Sequence, residues 1–178
     1  TLGVRDNTIV IFSSDNGPDP IPGPRFNAPF RGTKYTMWEG GIHVPMIWSH
    51  KGVLDPGRRG ALIHFVDIFP TLVELCGLRM EEAIAFCGVD HSATVYRNEP
   101  PGVERARFWQ WNRGVPLYTH NAAMREGPWK LVRPYVTRDI PQKESAERPV
   151  LYNIAVDPGE TTDVSAQNHR LYENMRVR

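Results

Sequence analysis

A short apolar, β-rich run, Ile9 to Phe12, halts on Ser-Ser-Asp-Asn-Gly, and the stretch from Gly17 to Pro29 then carries five prolines. Proline lacks the backbone donor that a helix interior or a central strand needs, so this stretch is a loop and the strand has to end just before Asp15. The run Ile9 to Phe12 reads as a buried strand delivering oxygen donors at its carboxyl end, the side of an open α/β sheet where ligands bind. Asp15 offers a carboxylate and Asn16 a neutral carbonyl oxygen, both hard donors suited to Ca²⁺ or Mg²⁺, and Gly17 with Pro18 turns the chain away. Asp-Asn-Gly is also ordinary turn chemistry, and a plain surface turn is the competing reading.

A second segment, Arg-Gly-Thr-Lys-Tyr-Thr-Met-Trp-Glu-Gly-Gly-Ile-His-Val-Pro, follows the loop. Lys34 lies five residues before Glu39, and the glycines after Glu39 allow close backbone approach ahead of a new apolar strand over Val44 to Trp48. A lysine beside a metal-carboxylate site is a point charge for an anionic substrate. The loop's Arg25, Asn27 and Arg31 are candidates for contacting the rest of that substrate, against a bland reading as solvated loop polars.

These residues resemble the sulfatase family of the alkaline-phosphatase-like superfamily, of the arylsulfatase and N-acetylgalactosamine-6-sulfatase type. IVIFSSDNG, RGTKYTMWEGGIHVP, HFVDIFPTLVELCGL, AAMREGPWKLV and LYNIAVDPGETTDVS follow one another in the family's order. The resemblance implies that Asp15 and Asn16 complete a divalent cation site, usually Ca²⁺ with Mg²⁺ as the alternative, and that Lys34 binds the sulfate ester. It implies hydrolysis of sulfate esters of sugars or aryl groups, in a periplasmic, extracellular or lysosome-like setting. His43 stands where relatives more often carry arginine, and Tyr35 where they commonly carry glycine. His43 and Arg25 join Lys34 as expected substrate-binding positions.

The formylglycine nucleophile of sulfatases is made within a C/S-x-P/A-x-R motif. Cys76 is followed by Gly-Leu-Arg-Met and Cys87 by Gly-Val-Asp-His, so neither matches. The family's early Asp-Asp metal pair and middle lysine and histidine residues are also missing, so the resemblance is to a C-terminal portion only. The chain is expected to be inactive alone, with the N-terminal half of the sulfatase as its missing partner. Two other readings stand beside this one: a pseudoenzyme or sulfated-glycan-binding module, and a related phosphoesterase.

The expected fold is α/β: residues 1–100 as the C-terminal part of a mixed sheet with flanking helices, and residues 101–178 as a small antiparallel β subdomain closed by a helix around Ser165 to Met175. Asp67 to Gly77 reads as a helix, with Asp67 as N-cap, Pro70 in the first turn and Ile68, Leu72 and Leu75 with Phe69 and Val73 on its apolar face. A second short helix is expected over Glu81 to Phe86. Arg107 to Trp111, Asn121 to Arg125, Trp129 to Arg133 and Val150 to Ile154 are short β-type runs between Gly and Pro. Glu126-Gly127-Pro128 and Asp157-Pro158-Gly159-Glu160 read as tight turns with exposed charges. The rings of Phe108, Trp109, Trp111, Tyr118, Trp129 and Tyr135 suit core packing or a carbohydrate face, and His120 is a candidate for the rim of the site.

A net charge of +1, from 21 basic and 20 acidic residues, supplies no general attraction to nucleic acid or an anionic membrane. No apolar run approaches the ~20 residues that span a bilayer, and no signal-peptide pattern is present in the chain. Two cysteines eleven positions apart define no disulfide framework and no Cys/His metal pattern.

Overall fold

The computed structural model describes residues 2–21, 23, 25–80, 85–100, 102–111, 121–133 and 148–178. Along the chain run β1 (Ile9–Ser13), α1 (Glu39–Ile42), β2 (Met46–His50), α2 (Ile68–Leu75), α3 (Ser92–Arg97), β3 (Arg107–Gln110), β4 (Ala122–Glu126), β5 (Trp129–Arg133), β6 (Val150–Asn153) and α4 (His169–Arg176). Residues 1–12 with 46–105 form one compact unit, and residues 13–45 with 106–178 form another. The expected helix over Glu81 to Phe86, His120, Tyr118 and Tyr135 lie wholly or partly outside the described residues.

In the first unit, β1 and β2 are hydrogen-bonded neighbours. β1 is not the fully buried strand its composition predicts. Its residues alternate, and Val10, Phe12 and Ile47 of β2 remain 45%, 62% and 57% exposed. An apolar run records what a strand can bury, and here the described residues of this unit cover only one side of it. A 3-10 turn over Phe65–Asp67 leads into α2. Asp67 occupies the N-cap position but makes no cap bond to α2; its carboxylate instead accepts the backbone N–H of His64 and that of Val89, each at 2.7 Å. Thr71 extends this bracing by accepting the His91 N–H at 2.9 Å. Of the predicted apolar face, Ile68, Leu72 and Leu75 are half-buried, whereas Phe69 is exposed. α2 ends where Gly77 takes φ 59° and the Leu78 N–H reaches back to the Val73 carbonyl at 2.9 Å, a glycine C-terminal motif. Cys76 and Cys87 are free, exposed thiols.

The second unit is built on an antiparallel sheet of order β3-β4-β5-β6. Its strands fall on the β-type runs read from the sequence to within a residue, because Gly127-Pro128 and the other turn residues punctuate them. Alternation sends Ala123, Val132 and Tyr152 to one face, where they pack with Met37 and Trp38, and Met124, Leu131 and Leu151 to the other, against Tyr172 and Met175 of α4. Both faces are therefore covered, which is why Val132 and Leu151 are fully buried. The same alternation puts Lys130 on the Val132 face, and the register sets Arg125 directly opposite Lys130. Two like charges opposed across a ladder are destabilising unless something neutralises them.

Candidate active site

The Asp15–Asn16 turn is held by backbone contacts that only glycine permits. The Gly17 N–H donates to the Gly41 carbonyl at 2.9 Å, and a Cβ on Gly17 would run into the Gly40 carbonyl oxygen. Gly40 is equally confined: its N–H donates to the Arg31 carbonyl at 2.7 Å, and a Cβ there would meet the Gly32 carbonyl. The Lys34 N–H donates to the Pro18 carbonyl at 3.0 Å. The Ser13 hydroxyl donates to the Pro45 carbonyl at 2.9 Å, and that of Ser14 to the Asn16 carbonyl at 2.8 Å. The turn bearing Asp15 and Asn16, the Lys34 segment and the Glu39-Gly40-Gly41 turn thus form one hydrogen-bonded body.

From that body, Asp15 projects an exposed carboxylate, and neither it nor the Asn16 side chain hydrogen-bonds to any described residue. Lys34 is half-buried, its ammonium 5.6 Å from the Tyr35 ring centre and without a carboxylate partner among the described residues. His43 is half-exposed, with Nδ1 2.9 Å from Glu39 Oε2 and its ring against Phe30. Arg25 is exposed. The other two loop candidates have structural partners: the Asn27 amide donates to the Gly32 and Gly40 carbonyls, and the Arg31 guanidinium lies 3.9 Å from the centre of the Trp38 ring and donates to the Glu160 carbonyl.

Beneath the body lies a buried charge cluster that sequence reasoning did not find. Lys130, with no exposed surface, places Nζ 2.8 Å from Glu39 Oε1 and 2.8 Å from Glu160 Oε1, the second contact an ion pair without hydrogen-bond alignment. Glu160 Oε2 accepts the Glu39 backbone N–H at 2.6 Å, and the Arg125 guanidinium lies 3.6 Å from Glu39 Oε2. Burial pushes the Glu39 carboxyl up, but His43, Lys130 and Arg125 outweigh it and hold the group down at about 2. Burial dominates at Glu160, whose carboxyl is raised despite Lys130. Glu160 belongs to the Asp-Pro-Gly-Glu turn expected to carry exposed charges; it is fully buried because it supplies the second anion that the opposed Arg125 and Lys130 require. The one local signal was a lysine flanked by tryptophan and leucine within a β-type run.

Hard cations suit the donors at Asp15 and Asn16, but these supply two or three of the roughly six to eight oxygens Ca²⁺ takes. Among the described residues, no group of three or more His, Cys, Asp or Glu side chains is arranged to hold a metal. The two fit a cation as part of a larger ligand set. No described helix is long and apolar enough to cross a membrane.

Residues 1–78 match the family model described as Sulfatase. The chain is 33% identical over 93% of its length to a sulfatase of Formosa agariphila, covering 30% of that protein. It is 28% identical over 94% of its length to an N-acetylgalactosamine-6-O-sulfatase of Bacteroides thetaiotaomicron, covering 35% of it. Among solved structures, Ps i-CgsB in complex with k-i-k-neocarrahexaose superposes with a TM-score of 0.76 at 28% identity, over 96% of this chain and 35% of that one. The PsFucS1 sulfatase of Pseudoalteromonas sp. gives 0.68 at 28% identity, over 91% and 34%. The chain spans about a third of the length of the relatives it matches.

Proposed function

We propose that this chain, which belongs to the sulfatase family, is the part of a sulfate-ester hydrolase that holds one side of the metal site and grips the sulfate. The observation that carries this reading is the single hydrogen-bonded body that presents the Asp15–Asn16 turn and Lys34 together. Asp15 and Asn16 would hold a divalent cation, Ca²⁺ or Mg²⁺, through their oxygens. When bound, such a cation supplies Lewis-acid polarisation of the ester's oxygens. Lys34 is the catalytic residue of this segment: its backbone N–H is tied to the Pro18 carbonyl just past the metal turn, and its ammonium neutralises charge on the sulfate oxygens as the S–O bond breaks. His43, steadied by Glu39, and Arg25 on the loop are the substrate-binding side chains toward the alcohol portion. The nucleophile and the remaining metal ligands come from polypeptide outside these 178 residues, since no C/S-x-P/A-x-R motif occurs here and the donor set among the described residues is incomplete. Substrates of the relatives, N-acetylgalactosamine 6-sulfate among them, make a sulfated sugar the favoured ester.

The test is to assay the complete polypeptide carrying this chain on 4-nitrophenyl sulfate, N-acetylgalactosamine 6-sulfate and 4-nitrophenyl phosphate. Sulfate esters should be preferred, and Lys34→Met should lower kcat/KM on them by about 100-fold, the loss typical of one electrostatic contact to the transition state. Preference for the phosphate ester, or an unchanged kcat/KM in Lys34→Met, would overturn the assignment.

A further inference from the structure

Thr33 to Thr36 close a β-turn through a 3.1 Å bond from the Thr36 N–H to the Thr33 carbonyl, with Lys34 and Tyr35 at its centre. Tyr35 has φ 78°, the left-handed conformation that the third residue of a type II turn requires and that glycine supplies without strain. A tyrosine there is a steric cost accepted beside the sulfate-binding lysine, and such outliers cluster where a site needs a particular side chain.

A second observation concerns what the ring meets. Tyr35 and Trp111 pack with ring centres 5.2 Å apart and planes inclined by 59°. Asn121, 1% exposed and itself at φ 43°, donates its side-chain amide to the Tyr35 carbonyl at 2.8 Å and to the Trp111 carbonyl at 3.0 Å. The Trp111 N–H returns a bond to the Asn121 carbonyl at 3.1 Å. One buried amide therefore fixes both ring-bearing residues, at a place where neither residue is itself fully buried. Core packing alone does not call for a tyrosine at a glycine position of a turn.

We propose that Tyr35 and Trp111, clamped by Asn121, form an aromatic platform beside Lys34 that receives the sugar ring of a sulfated saccharide. The C–H face of a pyranose is apolar and stacks on aromatic rings, while its sulfate reaches the adjacent ammonium. The proposal rests on reading Lys34 as the sulfate contact, and its test separates the two.

Inorganic sulfate and galactose 6-sulfate are titrated by NMR against the complete polypeptide carrying this chain and its variants, with divalent cations chelated so that no ester is cleaved and circular dichroism confirming that each variant is folded. Galactose 6-sulfate should bind the unmodified chain about tenfold more tightly than inorganic sulfate, the size of one stacking contact. Tyr35→Gly keeps the turn and removes the ring; it should erase that tenfold difference and leave inorganic sulfate unchanged. Tyr35→Phe should retain the difference. Lys34→Met should weaken both ligands. Equal affinities in the unmodified chain, or a difference that survives Tyr35→Gly, would overturn the platform while leaving Lys34 as the sulfate contact. Inorganic sulfate binding that is indifferent to Lys34→Met would instead overturn the Lys34 reading, and a chain that binds neither ligand would overturn both.

Discussion

Replacing Lys130 with methionine removes a buried charge at nearly constant volume and exposes how the cluster beneath the site is balanced. Glu39 would keep His43 at 2.9 Å and Arg125 at 3.6 Å, and would stay ionised. Glu160, with no exposed surface, would lose the ammonium 2.8 Å away and retain the Glu39 N–H as its donor. Stripping the partner from a buried ion costs about 3–5 kcal/mol, and that is the expected loss in urea unfolding at neutral pH. Glu160 has one escape, which is to take up a proton. Its folded value already lies above the ordinary 4.5 and rises further without Lys130. Between that raised value and 4.5 the folded state of the variant binds one more proton than the unfolded state, so acidification returns about 1.4 kcal/mol per pH unit. Lys130→Met should therefore gain stability as pH falls toward 4.5, and adding Glu160→Gln should recover much of the loss at pH 7. A variant within about 1 kcal/mol of the original at pH 7, or one whose stability is not improved by Glu160→Gln, would refute the argument.

Glu39 contributes with the opposite sign to Glu160: because it is held near 2 instead of 4.5, about 3 kcal/mol of stability is present above pH 4.5 and lost on acidification toward pH 2, which acid unfolding followed by circular dichroism will detect. Gly17→Ala drives a methyl into the Gly40 backbone and should cost about 1–3 kcal/mol in thermal or urea unfolding, whereas Gly60→Ala, which meets nothing within 4 Å, should stay within about 0.5 kcal/mol. Asp15→Asn should weaken Ca²⁺ binding by the complete polypeptide at least tenfold in calorimetric titration, while changing the stability of the fold by no more than about 0.5 kcal/mol, since Asp15 is exposed. Equal Ca²⁺ affinity in that variant would remove Asp15 from the metal site.

Much of the second unit was legible because its signals are local. Trp129 to Arg133 is bounded by Gly127-Pro128, and the observed strand has those same limits. The Gly17 to Pro29 loop followed from proline chemistry, and residues 25–29 form no helix or strand. Local pattern could not tell that β1 keeps one apolar side exposed, since composition records what a segment can bury and not what lies over it. It also could not place Asp67, whose carboxylate serves residues 64 and 89 instead of the helix it precedes. The charge cluster is the extreme case: Lys130 and Glu160 stand 91 and 121 positions from Glu39 along the chain, and each alone reads as a solvated charge. Asp15, Asn16 and Lys34 were singled out as candidates by residue chemistry and motif, while the glycine contacts that hold their segments together emerged only in three dimensions.

The position of Glu160 in the chain has a consequence for biosynthesis. The segment bearing Lys34 and Glu39 leaves the ribosome long before Lys130 does, and Lys130 before Glu160. Until Lys130 emerges Glu39 has no buried cation, and until Glu160 emerges Lys130 has one anion instead of two and Arg31 lacks the Glu160 carbonyl to which it donates. A nascent chain stalled short of residue 160 should carry the Lys34 loop in a form that proteases cut readily, and release of the next few residues should close it. The Lys34 segment is thus made well before Lys130 and Glu160 and becomes rigid only after both have emerged.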